Sequence, residues 1–270
     1  MNRYLELFRL GNGIIGIIGV FVSAFVAVGT GITDHIQNVL ITCFITICFI
    51  AGGNAVNDYI DRDIDKVSHP ERPIPSGRME PKHALYAGVF ALLLSCVLSV
   101  FLGSIESTAI VIIAVVLMFS YEMFLKQRGF VGNLTIGILT GMVFLLGGSI
   151  TGHIENCFEV AAMAGLVTVG REITKDIEDM EGDIGRHTLP MAIGKKNAGI
   201  VAAAFFIAGP VLSILPLIEG TFSMLYLTVL IADGMFIYGA FILFNDPHRA
   251  QKIAKYAMLV ALLAFVLGVI

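Results

Sequence analysis

Two stretches of the sequence place acidic side chains at roughly the spacing of one helical turn. In NAVNDYIDRDID, Asn57, Asp61 and Asp65 occupy every fourth position, and Asp58 lies beside them. Residues four apart share one face of an α-helix, so these oxygen-bearing side chains form a stripe. A row of acids repels itself unless cations lie between them, and carboxylate and amide oxygens are the ligands that Mg²⁺ prefers. The stripe therefore predicts a divalent-cation site.

A second acidic stripe occurs in KDIEDMEGDIGRHTLP. Asp179 and Asp183 repeat the four-residue spacing, and Asp176 lies three positions before Asp179, on nearly the same face. The simpler interpretation is a solvated helix end with several charges. We favour a functional interpretation because the pattern occurs twice and a basic, proline-containing loop follows each stripe. Two facing stripes can hold two or more divalent cations.

The elements that must position these stripes are predicted to be membrane-spanning helices. Hydrophobic residues make up 57% of the 270 residues and charged residues 14%, with a mean hydropathy of +0.87. This balance excludes an ordinary soluble domain. About nine apolar stretches approach the ~20 residues that span a bilayer, and we expect one all-α polytopic membrane bundle over residues 1–270. The predicted spans are 11–30, 38–58, 82–103, 106–125, 131–152, 157–175, 197–217, 223–244 and 252–270.

The distribution of charge gives an orientation. If the N-terminus is cytoplasmic, all 17 Lys and Arg residues fall at cytoplasmic ends and loops, whereas the opposite side holds a few acids and histidines. The positive-inside rule therefore predicts a multi-pass protein of the cell membrane with both acidic stripes on the cytoplasmic side.

The positions of the two stripes also indicate an internal repeat. Spans 38–58 and 157–175 run in the same direction, each ends in an acidic stripe, and the second comes four spans after the first. We therefore expect a repeat of four helices plus four helices plus one, with approximate bounds 1–130, 131–245 and 252–270. Substrate sites in such folds lie between the repeats.

Cations held between carboxylates at a membrane surface suit a diphosphate group. The metals bridge its oxygens and neutralise the charge that develops as it leaves, and nearby arginine and lysine clamp the same group. Spans of Leu, Ile, Val, Phe and Gly could accept a long hydrocarbon tail below it. The combination describes a polyprenyl diphosphate, with the lipid bilayer as surroundings and no nucleic acid as partner.

The motifs resemble those of the UbiA superfamily of intramembrane prenyltransferases. NAVNDYIDRDID is similar to its first aspartate motif and KDIEDMEGD to its second, and the likeness extends to the YEMFLK segment and the RPIPSG loop. The resemblance implies Mg²⁺ as cofactor, phosphate contacts from Arg72, Lys126 and Lys175, and catalytic roles for Asp61, Asp65, Asp179 and Asp183. The metal ligands that it implies are Asn57, Asp58, Asp61, Asp65, Asp176, Asp179 and Asp183.

The sequences of the loops are most similar to those of one branch of that superfamily. HPERPIPSG occurs in chlorophyll synthases and in archaeal geranylgeranylglyceryl-phosphate geranylgeranyltransferases, and REITKDIEDMEGD followed by HTLP is more similar to the archaeal branch. The resemblance implies transfer of a geranylgeranyl group from geranylgeranyl diphosphate to the hydroxyl of geranylgeranylglyceryl phosphate, which forms the second ether bond of archaeal lipid. An anionic acceptor needs basic residues, and each candidate could instead anchor the protein to anionic lipid. The candidates are Arg62, Lys66, His69, Arg78, Arg186 and His187.

Three other functions are compatible with parts of the pattern. A UbiA-type enzyme could instead use a chlorophyllide or an aromatic quinone precursor as acceptor. A CDP-alcohol phosphotransferase also uses aspartates four apart, but its acids lie together in one motif, whereas these are divided between distant helices. An ion or proton transporter would need acids along a path through the bilayer, and only Asp233 is predicted deep inside, where we expect a hydrogen-bonded structural role.

Overall fold

The computed structural model describes residues 3–180 and 187–270. Over these residues the chain forms α-helices joined by short 3₁₀, π and irregular turns, without a β-strand. The predicted all-α fold is therefore confirmed. The helices are α1 (Arg3–Phe8), α2 (Leu10–Val28), α3 (Ile36–Ile60), α4 (Arg62–Ser68), α5 (Pro81–Val100), α6 (Ile105–Ser120), α7 (Phe130–Ser149), α8 (Phe158–Asp179), α9 (Leu189–Ile193), α10 (Lys195–Leu212), α11 (Leu215–Glu219), α12 (Val229–Ile242) and α13 (Pro247–Val269).

Seven helical stretches in the described part of the chain are long and apolar enough to cross a membrane. One of them, Gly13–Ile60, includes most of α2 and all of α3, which a 3₁₀ turn at Gly29–His35 connects. Helix α8 is not among the seven. Its last turns carry the charges of the second acidic stripe. The polytopic bundle is confirmed, whereas the count of nine spans remains a prediction.

Glycines let the helices that carry the stripes approach their neighbours closely. A methyl group at Gly52 of α3 would lie 2.9 Å from the carbonyl oxygen of Gly88 on α5, and one at Gly137 of α7 would lie 2.8 Å from that of Gly165 on α8. Because lipid tails are as apolar as the side chains, membrane helices associate mainly through such close van der Waals packing and hydrogen bonds. These contacts fix the axes of α3 and α8 within the bundle.

The other side of α8 packs against α10 and α13. Ile173 of α8 and Phe206 of α10 are fully buried in this core, and Leu243 lies beside them with 1% exposure. A methyl group at Gly170 would lie 3.0 Å from the carbonyl oxygen of Ala202. Helix α8 is therefore held on opposite sides, by α7 and by α10, and its charged end has a defined position.

Candidate active site

A polar cavity of about 560 Å³ lies at the end of the bundle where both acidic stripes occur. We call this end of the bundle the motif end. The cavity is lined by residues of α3, α4, α7 and α8 and by the segment between α6 and α7. The structure thus brings residues from both halves of the chain to one space. The stripe residues that line it are Asn57, Asp61, Asp65, Asp176 and Asp179. Asp183 and Arg186 lie outside the described residues.

The first stripe is held by a network of hydrogen bonds at the junction of α3 and α4. Asp61 accepts a bond from Lys126 Nζ at 2.7 Å and one from Asn57 Nδ2 at 3.0 Å. Asp65 accepts bonds from Arg72 Nη1 at 2.7 and 2.6 Å. Both carboxylates are buried, so their charges are compensated by these cations rather than by bulk water.

A π-helical turn positions Lys126. Residues Tyr121–Leu125 form this turn, and the Lys126 amide closes it with a 3.0 Å bond to the Tyr121 carbonyl. Such turns are rare and occur frequently at functional sites. The Lys126 side chain is only 7% exposed, and its ammonium group bonds to Asp61 and, at 2.9 Å, to Glu122 Oε2.

Glu122 has no role predicted from the sequence alone. Its carboxylate is buried and also accepts a 3.0 Å hydrogen bond from Asn57 Nδ2. In the sequence, the Glu122 and Lys126 pair at i,i+4 in YEMFLK could have indicated this contact, since Glu before Lys is a favourable orientation on a helix. Glu122 therefore connects the lysine predicted to contact phosphate with the first acidic stripe.

Asn133 is a second residue of the site for which the sequence alone predicted no role. It lies in the first turn of α7, is 6% exposed and donates a 2.8 Å hydrogen bond from Nδ2 to Asp176 Oδ2. Asn133 lines the polar cavity, and its Oδ1 is buried without a hydrogen-bond partner within the described residues. A buried carbonyl oxygen of this kind normally has a donor or a cation beside it. The sequence signal was the single amide side chain of a mostly apolar helix.

The basic residues predicted to contact the phosphates lie at the same cavity. Arg72, Lys126 and Lys175 all line it, as does His69. Arg9, which the sequence reasoning did not single out, lines it too and forms an ion pair with buried Asp58. Asp58 itself is not part of the cavity wall, and its metal-binding role stays a prediction.

Of the predicted acceptor residues that the structure describes, four do not line the polar cavity: Arg62, Lys66, Arg78 and His187. The Arg62 guanidinium lies 4.9 Å from the ring centre of Tyr59 and donates to the Tyr59 carbonyl at 2.8 Å. Lys66 donates to Asp63 at 2.8 Å, and this hydrogen bond lowers the pKa of the exposed Asp63 carboxyl. Both cations already have partners at the surface of α4.

The oxygen atoms of the acidic stripes suit a hard divalent cation that is bound together with a phosphorylated ligand. The stripe residues supply only carboxylate and amide oxygens, which suit Mg²⁺. Yet within residues 3–180 and 187–270, no three His, Cys, Asp or Glu side chains converge into a ready-made metal cluster. Mg²⁺ is commonly bound by one or two carboxylates, with water and substrate phosphates completing its octahedron. The cavity has room for such phosphates.

An apolar cavity of about 340 Å³ adjoins the polar one. Ile136 of α7 lines both. Most of the apolar wall is aliphatic, aromatic or glycine, but Asp233 lines it in the half of α12 away from the motif end. Asp233 accepts a 2.8 Å hydrogen bond from Ser213, in agreement with the expected hydrogen-bonded position. The two cavities together suit a molecule with a charged head and a hydrocarbon tail.

Comparisons with known proteins agree with this geometry. The UbiA prenyltransferase family matches residues 17–266. Digeranylgeranylglyceryl phosphate synthase of Methanosphaera stadtmanae is 39% identical over 99% of both chains. A solved structure, described as giving structural and mechanistic insights into digeranylgeranylglyceryl phosphate synthase in membranes, has a TM-score of 0.84 and 33% identity, covering 99% of this chain and 97% of the other. A UbiA homologue from Archaeoglobus fulgidus, solved with DMAPP and Mg²⁺, has the same fold, with a TM-score of 0.72, 14% identity and coverage of 99% and 98%.

Proposed function

The chain belongs to the UbiA prenyltransferase family, and we propose that it transfers a geranylgeranyl group from geranylgeranyl diphosphate to the hydroxyl of geranylgeranylglyceryl phosphate. It is a multi-pass integral membrane enzyme. The product would be the doubly alkylated glyceryl phosphate of archaeal membrane lipid. This acceptor is supported by relatives named digeranylgeranylglyceryl phosphate synthase, which match this chain over nearly its whole length.

The observation that carries the proposal is that the two cavities lie side by side, with Ile136 in the wall of both. On one side, residues of both acidic stripes and four arginine and lysine side chains surround a polar space. On the other, an apolar space extends between the helices. A prenyl diphosphate can place its head in the first and its tail in the second, and its reactive carbon then lies near their junction.

The residues of the first stripe and of α8 would hold Mg²⁺ through their oxygens. When bound there, Mg²⁺ would supply positive charge that offsets the negative charge of the leaving diphosphate. Its proposed ligands are Asn57, Asp58, Asp61, Asp65, Asp176, Asp179 and Asp183.

The side chains of the chain itself would bind and orient the reactants. Arg72, Lys126 and Lys175 would contact the diphosphate oxygens, because charge-assisted hydrogen bonds to phosphate are among the strongest available. The bond between the allylic carbon and the diphosphate oxygen breaks, and the electron pair leaves with the diphosphate. The acceptor hydroxyl oxygen then bonds to that carbon, and its proton passes to a carboxylate or to the released diphosphate. The apolar wall keeps water from the reactive carbon.

We place this chemistry at the cytoplasmic face of the cell membrane. The motif end carries both stripes, and the distribution of the 17 Lys and Arg residues supports that orientation.

The proposed acceptor is tested by offering alternatives to the purified protein. Geranylgeranyl diphosphate and Mg²⁺ are incubated with either geranylgeranylglyceryl phosphate or a chlorophyllide, and products are identified by mass. We expect only the glyceryl phosphate to gain a C20 chain. A gain by the chlorophyllide alone would overturn the acceptor assignment, and no transfer to either would overturn the proposed function.

A further inference from the structure

A groove of about 790 Å³ lies beside the polar cavity and has no role so far. It runs between α1, the start of α2 and the proline-containing loop that follows α4. Its wall combines aliphatic surface from Leu5, Leu10 and Pro73 with charged side chains. These are three arginines and three acids, Glu6, Asp58 and Glu71. We call it the arginine groove and define it by Arg9, Arg72 and Arg78. An arginine-lined groove with an aliphatic wall suits a ligand that carries both a phosphate and a hydrocarbon chain.

The loop holds Arg78 in a fixed position. Its Nη1 lies 2.7 Å from Glu6 Oε2, its Nη2 donates to the Glu71 carbonyl at 2.5 Å, and its Nε donates to Ser76 Oγ at 3.0 Å. These contacts tie the loop to α1 across the groove. A guanidinium held in this way loses little side-chain freedom when it binds an anion.

The other two arginines are fixed through buried acids. Arg9 pairs with Asp58, which is 1% exposed, and Arg72 lies 3.6 Å from the same carboxylate while bonding to Asp65. These bonds use Nη2 of Arg9 and Nη1 of Arg72. A guanidinium has five N–H donors, so each of the two retains donors that the described residues do not use. The acids hold the arginine side chains in position, and their remaining N–H groups can donate hydrogen bonds to an oxyanion.

The arginine groove adjoins the polar cavity, because Arg9 and Arg72 line both. A phosphate bound in the groove would therefore place a short glycerol unit at the boundary of the cavity. The free hydroxyl of that unit would face the space proposed for the diphosphate end of the donor. Arg62 and Lys66 line neither space.

We propose that the arginine groove binds the phosphate monoester of the alkylglycerol acceptor, with Arg78 and Arg9 as its principal contacts and the aliphatic wall against its hydrocarbon chain. This inference rests on the proposed function and assigns the acceptor subsite within it. The same phosphate chemistry could be offered by a phospholipid of the surrounding bilayer. The test must therefore separate the acceptor from bilayer lipid.

The test compares two acceptors that differ only in the phosphate, geranylgeranylglyceryl phosphate and geranylgeranylglycerol. Loss of one charge-assisted contact to phosphate corresponds to roughly a 10- to 100-fold change. We expect Arg78→Gln to lower kcat/KM for the phosphorylated acceptor by about that factor. The kcat/KM for geranylgeranylglycerol and the KM for geranylgeranyl diphosphate should stay at their wild-type values, which also shows that the variant is folded.

Arg249→Gln is the matched control. Arg249 is an exposed arginine at the start of α13, with its guanidinium 6.0 Å from the ring centre of Tyr238. This variant should match the wild type with both acceptors. If Arg62→Gln, rather than Arg78→Gln, causes the phosphate-specific loss, the phosphate binds elsewhere and the inference is overturned.

Binding without turnover gives a second readout. Geranylgeranylglyceryl phosphate is titrated into wild type and Arg78→Gln in dodecyl maltoside without donor, and the variant should bind about tenfold more weakly. Adding phosphatidylglycerol should not displace the acceptor. Displacement that depends on Arg78 would identify a bilayer lipid as the occupant and overturn the assignment. Equal transfer to both acceptors by the wild type would refute the subsite alone, whereas transfer to neither would refute the proposed function.

Discussion

Glu122 Oε2 accepts a hydrogen bond from Lys126 Nζ at 2.9 Å, and the same ammonium group donates to Asp61 Oδ1 at 2.7 Å. Asn57 Nδ2 lies 3.0 Å from both carboxylates. The ammonium group is therefore shared between an acid of the first stripe and an acid outside it. If a cation takes Asp61 as ligand, Glu122 still holds Lys126 at the wall of the polar cavity. Glu122 is thus expected to position Lys126 rather than to touch the substrate.

Glu122→Gln should slow prenyl transfer by about tenfold, because a neutral amide holds a buried ammonium group less firmly than a carboxylate does. The loss should fall mainly on kcat, with KM for geranylgeranyl diphosphate changed less. Glu106→Gln, at the opposite end of the membrane span Ile105–Leu125, serves as control and should leave both constants unchanged. Wild-type kcat in Glu122→Gln would refute the positioning role.

The acidic stripes could be predicted from the sequence because their spacing is a property of a single helix. Asn57, Asp61 and Asp65 are related by the local geometry of α3 and α4, and their shared face follows from residue number alone. The all-α bundle could be predicted because it depends only on composition and on apolar length. Both the stripe spacing and the apolar length are properties of short stretches of the chain.

The rest of the candidate site depends on contacts between distant parts of the chain. Glu122 meets Asn57 across 65 positions, Asn133 meets Asp176 across 43, and Arg9 meets Asp58 across 49. No periodicity links such pairs. The π-helical turn before Lys126 also leaves no clear pattern in YEMFLK, since it arises from the way α6 joins α7. The predicted internal repeat and the roles of the site residues likewise stay predictions.

Gly137→Val should destabilise the bundle. The added Cβ would lie 2.4 Å from Val169 Cγ2 and 2.8 Å from the Gly165 carbonyl oxygen, and the backbone atom cannot move aside without separating α7 from α8. We expect a loss of about 2–3 kcal/mol, as for other overpacked sites. Thermal unfolding in detergent measures it.

Gly234→Ala is the control for that substitution. Gly234 lies within α12 with no atom within 4 Å of an added Cβ. Alanine there should raise stability by roughly 0.5–1 kcal/mol through its better helix propensity. A Gly137→Val protein as stable as the wild type would show that the α7–α8 contact is looser than described.

Ala164→Phe should shorten the prenyl chain that the enzyme accepts. Ala164 lines the apolar cavity, and a phenyl ring there would occupy space proposed for the donor tail. We expect kcat/KM for geranylgeranyl diphosphate to fall by about 10- to 100-fold, a range typical of altered apolar pockets. The value for geranyl diphosphate should be retained.

Ala162→Phe tests whether added bulk alone causes that change. Ala162 lies two positions earlier on α8 and is exposed on the outside of the bundle, outside the cavity wall. It should keep the wild-type preference for the C20 donor. An unchanged preference in Ala164→Phe would mean that the tail lies elsewhere.

The most direct test of the account is the binding of a divalent cation by both stripes at once. Mn²⁺, which is visible to electron paramagnetic resonance, is titrated into the protein with the unreactive analogue geranylgeranyl thiolodiphosphate. Asp61→Asn and Asp179→Asn should each weaken Mn²⁺ binding at least about tenfold, since even changes beyond the direct ligands cost 10- to 100-fold in metal affinity. Asp63→Asn, which alters an exposed acid outside the polar cavity, should bind like the wild type. Wild-type affinity in either Asp61→Asn or Asp179→Asn would contradict a cation site shared between the two halves of the chain.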